Sequence, residues 1–283
     1  MQVTTFARRE LKLVFRSPGF RLTGLLLAGV MTLLVLLPAV AFDDPAPDLG
    51  AAFLLGPATD ILLPLIAIVF GHVAIVGRRE TGAINGLLGM PYTRADIIYG
   101  AALGRSMAIA GMSIAAAVPA VIAITVVYGI PPIGSVLAFT VTTAVAGGVY
   151  TTVSVGVSGI VRTRIRALGA LLAGFVIAHA LWDGIVDGVV SLVEGANTDP
   201  WWARVARETN PLGAYGRLAD AVLPAAPHVD LAVEGGDVAA EQGELVGVDP
   251  TAGDVVIPVL VLVIWLVAFL ALARWRFARV DLK

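Results

Sequence analysis

Asp60, His179 and Asp183 each interrupt a long apolar run, where a charge in hydrocarbon costs several kcal/mol and is retained for a reason. His179 and Asp183 are spaced i, i+4 and so share one helix face. Counted at about 1.5 Å per residue, Asp60 lies about 10 Å below the outer start of its run, and the pair falls in the outer half of theirs. The three could therefore meet at one depth, as a polar patch on a path through the membrane or, more simply, as interhelical hydrogen bonds. Ser158, in Gly156-Val157-Ser158-Gly159, is placed like a nucleophile. Its depth differs from that of His179 by nearly 20 Å at about 1.5 Å per residue, far outside the reach of a catalytic pair. Gly147, Gly148, Ser154, Gly156, Ser158 and Gly159 more simply allow close helix packing. A phosphate-binding loop needs a lysine after glycines, and the only lysines are Lys12 and Lys283, in other contexts. There is no cysteine. His72 and His228 stand apart from His179 and make no metal-binding spacing. No metal or cofactor is expected on this chain.

The elements that would carry these residues are apolar runs at about 22–42, 53–77, 101–128, 133–161, 167–190 and 255–273. Each meets the roughly twenty-residue requirement for crossing a bilayer. Of the 283 residues, 58% are hydrophobic and 14% charged, with mean hydropathy +0.89, too apolar for one aqueous core. The expected fold is all-α: six transmembrane helices in one domain, multi-pass in the cell membrane. Arg8, Arg9, Lys12, Arg16 and Arg21, then Arg78, Arg79, Arg94 and Arg105, then Arg162, Arg164 and Arg166, and last Arg274, Arg276, Arg279 and Lys283 all fall on one side. Only Arg204, Arg207 and Arg217 of the 19 basic residues fall on the other, so both termini are expected in the cytoplasm. Ala39-Val40-Ala41 resembles a signal-cleavage site, but the run before it exceeds the roughly 7–15 residues of a signal core, favouring an uncleaved span.

The external segment 191–254 divides in two. Trp201-Trp202, then Asn210 as a cap with Pro211 at the first helical position, predict short helices at the outer interface. From Pro224 to Asp254 the chain is rich in glycine and acid and reads as a solvated spacer.

The connection from Arg78 to Gly100 carries the most distinctive pattern. Ile84, Leu87 and Leu88 are spaced i, i+3, i+4 and make one apolar face of a short helix. Pro91 stops it and Thr93 is an N-cap for the next helix. Such a helix suits a groove on a cytoplasmic partner, or lipid headgroups. Gly86 and Gly89 each cost it about 1 kcal/mol of propensity relative to alanine.

Glu80, Gly82, Leu87, Leu88, Pro91, Thr93 and Arg94 together resemble the coupling segment of ABC-2-type transporter permeases. The opening residues 1–21, with Phe6, Leu11, Val14 and Phe15 against Arg8, Arg9, Lys12 and Arg16, resemble the amphipathic elbow helix of that family. The long loop before the last run, with Asn210-Pro211-Leu212, Tyr215 and Arg217, is also similar. Among its members, the smaller permeases near the nitrous-oxide-reductase maturation transporters are most alike.

The resemblance implies a transport subunit that is not itself an enzyme. A separate cytoplasmic ABC ATPase would hold ATP and magnesium and contact Arg78, Arg79, Glu80 and Arg94, with Leu87 and Leu88 inserted into its groove. A homodimer, or a pair with a similar permease, embedded in lipid and acting as an exporter, is the implied assembly; nucleic acid is not an expected partner. Two other classes stand beside this one. One is an ATP-independent secondary transporter or channel, but the sequence shows no paired half-length broken helices of the kind such folds often have. A rhomboid-like intramembrane serine protease would share the Gly-x-Ser-Gly of residues 156–159 but meets the depth objection above.

Overall fold

The computed structural model describes residues 2–41, 58–129, 133–195, 198–222, 229–234, 237–242 and 252–279. Helix α1 (Gln2–Arg16) leads through Ser17 into α2 (Pro18–Ala41), which Pro18 opens at the first helical position. A π-helical turn (Ala58–Leu62) runs into α3 (Leu63–Gly71), and two short helices follow, α4 (Val76–Glu80) and α5 (Ala83–Leu88). Next come α6 (Arg94–Val127), α7 (Ile133–Ile160) and α8 (Arg164–Val193), the last interrupted by a π-helical turn at Ile177–Leu181. Helices α9 (Trp201–Glu208), α10 (Pro211–Val222) and α11 (Ala252–Ala278) complete the helical part.

Helices α2, α6, α7, α8 and α11 are long and apolar enough to cross a membrane, and the expected all-α polytopic fold holds. The expected second span, 53–77, is different. Its described part is helical only from Ala58 to Gly71, about 20 Å at 1.5 Å per residue, and breaks at His72–Ile75 before α4 begins. Residues 53–57 of that run lie outside the described residues.

The expected caps are present. Thr93 accepts a hydrogen bond from the Asp96 amide at 3.1 Å while Asp96 accepts from the Thr93 amide at 2.9 Å, a reciprocal capping box that starts α6. The Asn210 side chain accepts from the Leu212 amide at 3.0 Å, starting α10 at Pro211.

The core runs along α6, which packs against α1, α2 and α7, while α7 also packs on α3 and α11. Buried Leu27, Met31, Ile109, Met112, Ala116, Phe139 and Tyr150 join these helices in one cluster. Small residues permit the approach, as expected for α7. A Cβ on Gly71 would fall 2.2 Å from that of Ser154, and Gly156 and Gly159 lie against Phe269 and Ala273 of α11. On α6, Gly100 and Gly104 seat α1: a Cβ on Gly104 would lie 2.4 Å from the Ala7 carbonyl oxygen. Gly104→Val should therefore lift α1 from α6 and lower stability by about 1–3 kcal/mol, measured by thermal unfolding in mild detergent. An unchanged transition would show that α1 is not held there.

Helix α9 starts against the far end of α8, where Trp202 donates its indole N–H to Glu194 at 2.8 Å, but the chain then dips inward. Trp265, at the middle of α11, donates its indole N–H to the Thr209 carbonyl at 2.9 Å. Asn210 donates to the carbonyl of Ala178, halfway along α8, at 2.7 Å. Tyr215 is fully buried, 3.2 Å from the Thr143 hydroxyl and edge-on to Tyr150. The turn between α9 and α10 thus reaches half the length of the spanning helices. An apolar α10 makes this possible, because its Ala214, Tyr215 and Leu218 bury between α7 and α11. Within the acidic stretch beyond, Val229–Glu234 and Asp237–Gln242 pair as an antiparallel hairpin, more order than a plain spacer. The three arginines of this end are each paired with an acid: Arg204 with Asp199, Arg207 with Asp187 and Asp199, and Arg217 with Glu208.

Candidate functional site

The segment Arg78–Arg94 starts on α4, turns at Gly82, forms α5, and ends at the Thr93 cap of α6. Gly82 has φ +70°, the left-handed region that favours glycine. The helix break just before this segment is held by Ser158. Its hydroxyl accepts from the amides of Ile75 and Val76, both at 3.1 Å, and donates to the His72 carbonyl at 2.6 Å. A hydroxyl so committed, fully buried and donating its proton to a peptide oxygen, is not a nucleophile awaiting a base.

Charges tie the segment to the long helices. Glu10, on α1, is 1% exposed and forms ion pairs with Arg78 and with Arg105, the latter at 3.3 Å. Arg105 also donates to the carbonyl of Phe70 at the end of α3, and Arg78 stacks over the Phe6 ring at 5.5 Å. Arg79 caps the end of α7, donating to the carbonyls of Gly159 at 3.2 Å and Val161 at 2.9 Å. Burial, then repulsion from Arg162 and Arg276, holds the Arg79 guanidinium below its ordinary pKa. Glu80 pairs with Arg164 at 2.7 Å and accepts from the Arg164 backbone amide at 2.8 Å, at the positive N-terminal end of α8.

Leu87 does not project outward. It is 6% exposed, and with Ile84 it packs into a cluster with Phe6, Ile97, Ile98 and Val155. The apolar face legible in the sequence is satisfied within the chain, so the insertion of Leu87 into a partner groove is corrected to an anchoring role. The Leu88 side chain lies outside the described residues. Arg94 is half-buried in the first turn of α6, while Pro91 and Thr93 are exposed. The outward surface is instead made by Thr81, Ala83, Gly86 and Met90, with Ile165, 84% exposed, beside Arg164 in the first turn of α8.

The intramembrane polar residues are brought partly together. Asp60 lies in the π-helical turn Ala58–Leu62 and His179 in the π-helical turn Ile177–Leu181, and α10 packs against both. The Asp60 side chain lies outside the described residues. His179 stacks on Phe175, with ring centroids 5.3 Å apart, and His179 and Asp183 share an exposed side of α8. His72 is half-buried and its ring Nδ1 lies 3.0 Å from the Ile68 and Val69 carbonyls, a local contact.

Sequence reasoning missed Glu10, Arg105 and Ile165, and it read Ser158 as a small packing residue without its hydrogen bonds to the helix break. A signal existed for the first two: Glu10 is the one acid in a basic helix, and Arg105 follows the Gly100 and Gly104 that seat that helix.

The five long apolar helices among the described residues and the internally tied arginine-rich end define a multi-pass helical membrane protein. A family model described as ABC-2 family transporter protein matches residues 7–282, nearly the whole chain, and the protein belongs to that family of permeases. Membership implies pairing with an ABC ATPase. No curated protein matches the chain.

Proposed function

We propose that this permease is the membrane subunit of an ATP-driven exporter, with its arginine-rich end cytoplasmic and two ATPase subunits below a permease dimer. ATP and magnesium belong to those ATPases, since this chain has no lysine in a phosphate-binding loop. The observation that carries the reading is the wiring of the Arg78–Arg94 segment. Glu80 joins it to α8 through Arg164, and Arg78 joins it to α1 and α6 through Glu10 and Arg105. Closure of the ATPases would push on the exposed side of α5, and these ion pairs would carry the displacement into the spanning helices. The ATPase contact is composite, with Met90 and Ile165 as its apolar members and Arg94 at its border. On α8, His179 and Asp183 face outward from the bundle, where a second permease rather than lipid would cover a polar pair and where the substrate would pass.

Two measurements test this. An ABC ATPase should co-purify with the chain from native membranes, and its absence would reject the pairing. Met90→Asp combined with Ile165→Asp should abolish stimulation of that ATPase, by tenfold or more, while the permease stays folded and inserted. Full stimulation in that variant would reject the docking surface.

A further inference from the structure

The apolar side of α1 is largely taken up within the chain, with Phe15 left 42% exposed at its end. Phe6, Ala7 and Val14 are buried, and Gly100, Gly104 and Gly111 of α6 receive Phe6, Ala7 and Phe15. The helix's one acid, Glu10, is turned inward to Arg78 and Arg105. What α1 presents outward is Arg8, Arg9, Lys12 and Arg16, all exposed, around a shallow groove of about 340 Å³ that Thr5 and Leu13 complete. Among the described residues, none of these four cations has an ion-pair partner.

The height of this face along the bundle decides what meets it. Helix α6 has 34 residues, about 50 Å, against a hydrocarbon core of about 30 Å. Some 20 Å of it therefore extends beyond the core, at its arginine-rich start. Helix α1 lies along that part and reaches slightly past it, with Phe15 against Gly111 about 25 Å from the start of α6, and continues through Ser17 into α2. The first residues of α2 expose Leu22, Leu25 and Leu26, by 59, 72 and 60%, as a lipid-facing surface. Immediately below that surface come Arg16, Lys12 and then Arg9 and Arg8, with Leu13 exposed between them. This is the order of a bilayer edge, tails first and then phosphates.

We propose that the outward face of α1 binds anionic phospholipid headgroups of the inner leaflet. Thr5 would supply a hydroxyl to a phosphate, the guanidinium groups its charge-assisted hydrogen bonds, and Leu13 would lie against the upper acyl chain. The proposal rests on the arginine-rich end being cytoplasmic but not on any ATPase contact, so the two readings fail separately.

The test uses the full chain with phosphatidylglycerol and phosphatidylcholine in equal amounts, counting by native mass spectrometry the lipids retained after detergent exchange. The wild type should retain phosphatidylglycerol on the order of tenfold more than phosphatidylcholine, given attraction by each basic residue near an anionic surface. That preference should collapse near 1 M salt, where the screening length is about 3 Å. The R8Q/R9Q/K12Q/R16Q variant should retain both lipids equally with unchanged helix content, while R162Q/R166Q, removing two exposed cations elsewhere on the same end, should keep the preference. Equal retention in the wild type, an undiminished preference in the quadruple variant, or the same loss in both variants would each overturn the proposal. A quadruple variant that keeps the lipid preference but no longer co-purifies an ATPase would assign the face to that protein instead, and also overturns it.

Discussion

Glu10→Ala should destabilise the protein by about 3–5 kcal/mol, because it leaves Arg78 and Arg105 charged, largely buried and without their carboxylate. The side chains of Arg78 and Arg105 are 18% and 11% exposed, so water offers them little compensation. The loss should appear as a lowered transition in detergent unfolding. It should also appear as earlier protease cleavage at Arg78 or Arg79, since α1 and α4 would no longer be held together. The triple change E10L/R78L/R105L, which removes all three charges, should recover much of the stability but not the coupling to an ATPase. Wild-type unfolding in Glu10→Ala would mean that the buried ion pairs hold nothing together.

Ser158→Ala should have the second largest effect, about 2–4 kcal/mol. The hydroxyl satisfies the amides of Ile75 and Val76 and donates to the carbonyl of His72, and a buried group left unpaired costs about 1–3 kcal/mol. The break between α3 and α4 would lose its support, and the segment from Arg78 onward would no longer leave the bundle at a fixed angle. Ser158→Cys, a weaker donor and acceptor of similar size, should recover part of the loss. The same variants separate the structural role from the protease reading. The structural role predicts a stability change with no change in cleavage of any membrane substrate. A stable Ser158→Ala variant that had lost a proteolytic activity would reverse the assignment.

Much of this protein was legible because the bilayer imposes simple rules. Apolar length, arginine bias, and the caps at Thr93 and Asn210 are local properties, and the structure has each cap as the spacing required. The apolar face of Ile84 and Leu87 was equally legible, but its destination was not. Periodicity says that a face will be buried, not whether the chain's own α1 and α6 or another protein will bury it. The break at His72–Ile75 was invisible for a related reason. No proline or glycine occurs within it, and the group that makes it tolerable, Ser158, lies more than eighty residues away. The inward dip of the turn between α9 and α10 was not legible, because tryptophans and a capped proline mark a helix start but not its height, which Trp265 and Ala178 set from other helices.

By itself, then, the sequence determined that the chain is a lysine-poor, arginine-sided bundle of membrane helices with no lysine in a phosphate-binding loop, and it marked the segment ending at Arg94 as distinctive. Only the tertiary structure decided that Glu10, Arg78 and Arg105 form one buried cluster, that Leu87 is an anchor, and that α1 turns its cations outward. The physical reason is range. Crossing a bilayer and capping a helix depend on neighbours within a few turns, whereas pairing a buried charge depends on which helices meet, and packing across the whole chain settles that.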